Sequence, residues 1–121
     1  MDRGRKITGG KYHKIRKKRL HQLKRQERPV TLGETKRKTF KVRGGNVKAI
    51  LLKANIANLK LDKKIQKVEI INVEETPQNT FLARQNRLMK GAIIQTSLGK
   101  AKITNRPSQE GQINAILVKK D

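Results

Sequence analysis

Apolar and polar positions divide the chain into two textures. Through residue 28 the apolar side chains are sparse and unperiodic, with Ile7, Tyr12, Ile15, Leu20 and Leu23 standing among basic and polar neighbours. So little burial cannot offset an ordering cost of roughly 1–2 kcal/mol per residue, and the segment is expected to order on a polyanion rather than alone. Nothing between Lys14 and Gln26 breaks a helix, so a basic helix over 14–26 is open to it, limited upstream by Gly9-Gly10 and downstream by Pro29.

From residue 29 onward short apolar runs alternate with turn residues. Residues 39–43 follow period two, which turns Phe40 and Val42 toward a core and Lys41 and Arg43 outward. Gly44-Gly45-Asn46 tolerates positive φ and residues 47–53 return as a second strand, a hairpin signal. Runs over 54–61 and 65–73 flank the polar turn Asp62-Lys63-Lys64. Thr76-Pro77 reads as an N-cap followed by proline at the first helical position, opening a short helix that ends near Arg84. Gly91 precedes a strand over 92–96, Ser97-Leu98-Gly99 turns the chain, and 100–105 runs back. Residues 106–111 form a loop before the last strand, 112–118.

The pattern therefore predicts a mainly β fold: a small β-barrel-like body over 29–121, of about six or seven short strands and one short helix, plus a basic N-terminal extension over 1–28. The expected core is Phe40, Val42, Ile50, Leu52, Ile56, Val68, Ile70, Phe81, Ile93, Ile103, Ile113, Ala115 and Leu117. It is aliphatic and modest, with no large ligand pocket expected.

Composition narrows the function. Among 121 residues, 31 Lys and Arg face 9 acids, a formal net charge of +22. The first 28 residues alone carry 12 basic side chains against Asp2 and Glu27. A charge this large calls for a polyanionic partner, and nucleic acid is the commonest. No apolar run approaches the roughly 18 residues of a membrane span, and no apolar stretch of a secretory signal follows the basic start. The absence of cysteine removes disulfides, thiolate metal sites and a cysteine nucleophile, and permits a reducing, intracellular setting.

Enzyme signatures are weak. Residues 4–11 imitate a phosphate-binding loop, but Gly10 and Lys11 stand where that motif needs Lys and Ser/Thr, and no strand precedes them. His13 and His21, on one helix, would lie about 12 Å apart, too far to share a phosphate, and two histidines without a carboxylate make a poor metal site. Glu74-Glu75 is expected to complement the start of the short helix rather than to act as a catalytic pair. No catalytic residue, metal, cofactor or small-molecule substrate is assigned.

Phosphate contact is the better reading. Arg16-Lys17-Lys18-Arg19 forms a basic cluster, joined by Arg3, Arg5, Lys6, His13 and Lys14. Thr8-Gly9-Gly10-Lys11 combines glycines that allow close backbone approach with two side chains that donate hydrogen bonds. Arg43-Gly44-Gly45-Asn46 repeats the idea at a hairpin tip beside Lys48, although a tight turn would need the same Gly-Gly-Asn. Arg84, Arg87 and Lys90 are expected to line one face after the short helix. Scarce aromatics (Tyr12, Phe40, Phe81) argue against a protein that reads RNA mainly by aromatic stacking, and favour binding by shape and phosphate geometry.

Gly4-Arg5-Lys6-Ile7-Thr8-Gly9-Gly10-Lys11-Tyr12-His13, followed by Arg16-Lys17-Lys18-Arg19, resembles the small-subunit ribosomal protein eight family of the archaeal and eukaryotic type, which is unrelated to its bacterial namesake. The likeness continues through Lys41-Val42-Arg43-Gly44-Gly45-Asn46, Thr76-Pro77-Gln78-Asn79, Arg84, Asn86 and Lys90-Gly91-Ala92-Ile93-Ile94. It closes with Leu98-Gly99-Lys100-Ala101 and Arg106-Pro107-Ser108-Gln109-Glu110-Gly111, so it spans essentially the whole chain in order. The short length matches archaeal members, eukaryotic ones carrying an added internal segment. Gln22-Leu23-Lys24 departs from the acidic residue, Leu and Gly usual after the basic run, so no contact made by that acid is carried over to this chain.

The resemblance implies a structural constituent of the small ribosomal subunit. Its expected partners are ribosomal RNA and neighbouring small-subunit proteins, with no membrane involved. The alternatives are a free nucleic-acid chaperone, a ribosome-assembly factor or, most remotely, a basic ribonuclease.

Overall fold

A computed structural model of the protein describes residues 4–13, 15–62 and 64–118. The chain runs β1 (Thr31–Leu32), β2 (Lys36–Lys41), β3 (Val47–Ala54), β4 (Ile56–Leu61), β5 (Lys64–Glu75), α1 (Thr80–Arg84), β6 (Ile93–Thr96), β7 (Gly99–Ile103) and β8 (Asn114–Leu117). Strands β4 to β8 close a five-stranded barrel in chain order, and β1-β3-β2 form a separate three-stranded sheet. The mainly β expectation holds, with the two-residue β1 added to the predicted set. No helix among the described residues is long and apolar enough to cross a membrane.

The barrel closes because β5 is long and bent. Its first half pairs antiparallel with β4 from Lys64 to Glu69, and its second half pairs with β6 from Ile70 to Glu75. Irregularities between Ile70 and Asn72 and between Val73 and Glu75 mark the bends, as bulges do in closing sheets. A parallel β4–β8 pairing completes the ring, with Asn58 donating from its side chain to Asn114 Oδ1 at 3.2 Å.

Alanine sets the bore. Buried neighbours across the strands pair one large side chain with one alanine: Ala57 with Val68, Leu59 with Ala115, Ile94 with Ala101, and Ile103 with Ala115. Small barrels need such alternation to fill a narrow interior. Val30, Leu51 and Ala54 join this same cluster from the sheet side, so barrel and sheet share one core.

Several sequence expectations change. Val42, Ile56 and Phe81 are exposed, while Phe40, Leu52, Ile93 and Leu117 are only half-buried. β2 stops at Lys41, so Val42 lies beyond the alternation. The β3–β4 break falls at Asn55, and this one-residue offset turns Ala57 and Leu59 inward and Ile56 outward.

The helix begins later than predicted. Asn79, not Thr76, is its cap, accepting from the Phe81 N–H at 3.0 Å. Thr76 is instead buried in the preceding turn and donates to the Asn79 carbonyl at 2.6 Å. In this phase Ala83 faces the core and Phe81 does not. Glu74-Glu75 belongs to β5, and Glu74 pairs with Lys100 at 2.7 Å. A continuous helix over 14–26 does not form: among the described residues of that stretch there is one 3₁₀ turn, Leu20–Gln22. With no apolar stripe to dock, a short helix gains nothing to offset nucleation.

Candidate nucleic-acid interface

The extension presents its basic side chains to solvent: residues 4–13 and 15–29 are all exposed. Its glycine loop is a built turn. The Gly9 N–H donates to the Lys6 carbonyl and the Lys6 N–H to the Gly10 carbonyl, both at 2.9 Å, while the Arg5 guanidinium donates to the Gly9 carbonyl at 3.0 Å. Gly9 holds φ +80°, and a Cβ placed there would meet nothing within 4 Å. The loop thus holds Thr8 and Lys11 exposed with open space beside them. His13, Arg16, Lys17, Lys18 and Arg19 follow on irregular chain. His13 and His21 belong to no metal-binding cluster among the described residues. Arg3 and Lys14 lie outside the described residues.

A cleft of about 550 Å³ opens where four segments meet. The first is the chain entering β1, residues 25–30. Strands β2 and β3 supply the second, joined at the tip by the Arg43–Gly45 turn, where Gly44 (φ +79°) and Gly45 (φ +77°) take a conformation costing other L-residues about 1–2 kcal/mol each. Asn46 completes this tip by accepting from the Val42 N–H at 2.8 Å.

The third wall, residues 87–90, follows α1. Asn86 turns the chain there in the left-handed region (φ 51°), a role asparagine can fill after a helix. The Leu88 N–H then donates to the Val30 carbonyl at 2.8 Å, fastening this wall to the first. The fourth wall is the loop over 106–109. Asn105 organises it by donating to Glu110 Oε2 at 2.8 Å and to the Gln112 carbonyl at 2.7 Å while accepting from the Asn114 N–H at 2.9 Å. Lys48 bonds to Gln109, and the Leu51 N–H donates to the Pro107 carbonyl at 3.2 Å, so the loop is seated on β3.

Each wall contributes positive charge. Arg25 and Arg28 come from the first, Lys41 and Lys48 from the hairpin, Arg87 and Lys90 from the third, and Arg106 from the loop, against the single carboxylate of Glu27. Like charges converging on one space raise the local concentration of anions. The floor is apolar, with Val30, Ile50, Leu88 and Pro107 buried beneath the rim.

The structure thus divides the residues singled out from sequence. It brings Lys48, Arg87 and Lys90 into the cleft and puts Arg43, Gly44, Gly45 and Asn46 at the adjoining hairpin tip. Arg84 is separated from Arg87 and Lys90, its guanidinium lying 5.6 Å from the Phe81 ring centroid outside the cleft. Sequence reasoning missed Arg25, Arg28, Lys41 and Arg106 as site residues, and it expected no sizeable pocket. Lys41 read only as an outward strand position and Arg106 only as part of a loop. Their convergence depends on walls far apart in the chain.

Comparison with known proteins assigns the family. The chain is 45% identical over 116 residues to small ribosomal subunit protein eS8 of Methanocorpusculum labreanum, covering 94% of this chain and 93% of that one. It is 40% identical over 114 residues to the protein of that name from Halorubrum lacusprofundi, at 94% and 93% coverage. It is 43% identical over 122 residues to that of Staphylothermus marinus, at 96% and 93% coverage. The family model for ribosomal protein S8e matches residues 2–118, and the chain accordingly belongs to the ribosomal protein S8e family.

Proposed function

We propose that this protein is a structural constituent of the small ribosomal subunit that binds and stabilises ribosomal RNA through phosphate contacts and so supports translation. Its role is architectural rather than catalytic. The observation that carries the reading is the cleft, where seven cations from four chain segments face one carboxylate. Five of these cations stand on the body, which fixes them relative to one another, while Arg25 and Arg28 come from the end of residues 1–28, an extension that neutralises phosphates packed too closely to fold unaided. The body over 29–121 orients that extension. If about 6–10 phosphates are contacted, affinity for the RNA falls roughly 10³–10⁵-fold between 50 and 200 mM salt.

Sedimentation of the tagged protein from its own cells, at near-physiological salt, tests the assignment. Co-migration with small subunits and translating ribosomes is expected. Migration only with immature particles would make it an assembly factor. Retention at the top of the gradient would remove the ribosomal role and leave a free nucleic-acid chaperone.

A further inference from the structure

We propose that the cleft seats one unpaired nucleotide of the RNA, its base stacked on the Arg28 guanidinium and its phosphate on the rim cations; this rests on the phosphate-contact reading above. Duplex phosphates need only a basic surface, because a duplex keeps its bases stacked inside. A concave space with a buried apolar floor offers more than a pure phosphate site needs. At about 550 Å³ the cleft lies in the range of small-molecule sites, about 300–1,000 Å³, and can admit a single nucleotide.

The parts of a stacking platform lie together. Arg28 and Phe40 both line the cleft, and the guanidinium carbon of Arg28 lies 4.7 Å from the Phe40 ring centroid. The ring is itself held on β2, with the Lys38 ammonium 5.0 Å from its centroid. A guanidinium backed by a ring has its orientation restricted, and it offers its remaining planar face to a base as an aromatic would. Such a platform needs few aromatic residues, in keeping with a chain that has only three. Ser108 lines the same space from the loop wall and is the residue there whose hydroxyl would meet a base edge.

The test uses the full-length, ¹⁵N-labelled protein titrated with the four ribonucleoside 5′-monophosphates and, separately, with ribose 5-phosphate. Both kinds of probe carry the phosphate and only the first carries a base. At least one nucleotide is expected to bind about tenfold or more tighter than ribose 5-phosphate and to shift the amides of Val30, Ile50 and Leu88 at the floor. Arg28→Lys, which retains the charge of an exposed side chain but loses the plane, is expected to abolish that preference, read as the ratio of the two affinities in the same variant. Phe40→Leu, which removes the ring behind the guanidinium but keeps apolar bulk at a half-buried edge-strand site, is expected to weaken the preference in the same direction. Equal affinity for both kinds of probe, or a preference that survives Arg28→Lys, overturns the inference and leaves the phosphate-contact reading standing. If neither probe perturbs the cleft residues, the inference fails and the cleft loses its part in that reading as well.

Discussion

Neutralising Lys41, Lys90 and Arg106 together tests whether the cleft is where phosphates are bound. All three are exposed and line the cleft from three different walls, and the half-buried Arg87 and Lys48, the latter bonded to Gln109, are left in place. The triple alanine variant should therefore keep its melting temperature. Each phosphate contact adds about 0.7–0.9 to the slope of log affinity against log salt, so three lost contacts should flatten the slope by roughly 2–3. Between 50 and 200 mM salt, a fourfold change, the affinity loss should shrink by a factor of about 20–40 relative to the unaltered protein. The assay is filter binding to transcribed small-subunit ribosomal RNA across that salt range. Lys60→Ala, Lys67→Ala and Lys102→Ala together make the control, removing three exposed charges from barrel strands that do not line the cleft. An unchanged slope in the cleft variant, or an equal change in the control, would refute the reasoning, because binding would then follow total charge rather than its placement.

Gly9→Val combined with Gly10→Val should weaken RNA binding and leave the thermal unfolding of the barrel unchanged, since Gly9 sits at positive φ in an exposed loop outside the core; equal loss of both would make the loop part of the folding unit. Leu59→Ala, at a fully buried barrel position, should cost about 2–5 kcal/mol, and a denaturation curve within 0.5 kcal/mol of the unaltered protein would contradict the packing described. Asn105→Ala removes three hydrogen bonds that shape the loop over 106–109, so it should lower stability by about 1–3 kcal/mol and weaken RNA binding more than a surface change does. An RNA affinity unaltered by Asn105→Ala would show that the loop wall takes no part in binding.

By itself the sequence determined the class of partner, the mainly β body, the hairpin closed by Gly44-Gly45-Asn46, and the family. These depend on local quantities: net charge, period-two alternation, residues that tolerate positive φ, and blocks of residues in order. Only the tertiary structure decided which faces are inside. The offset at Asn55 reverses Ile56 and Ala57, and the later helix start expels Phe81, because a strand or helix has no inner face until its register against a neighbour is set. The alanines of the barrel carry little local signal, yet they become the inner surface once a five-stranded bore leaves no room for larger partners. The cleft is the furthest from local reading. Arg28, Lys41, Arg87 and Arg106 are ordinary charged residues in sequence, and they become one site because long-range pairing and a shared core hold their four segments around a common space.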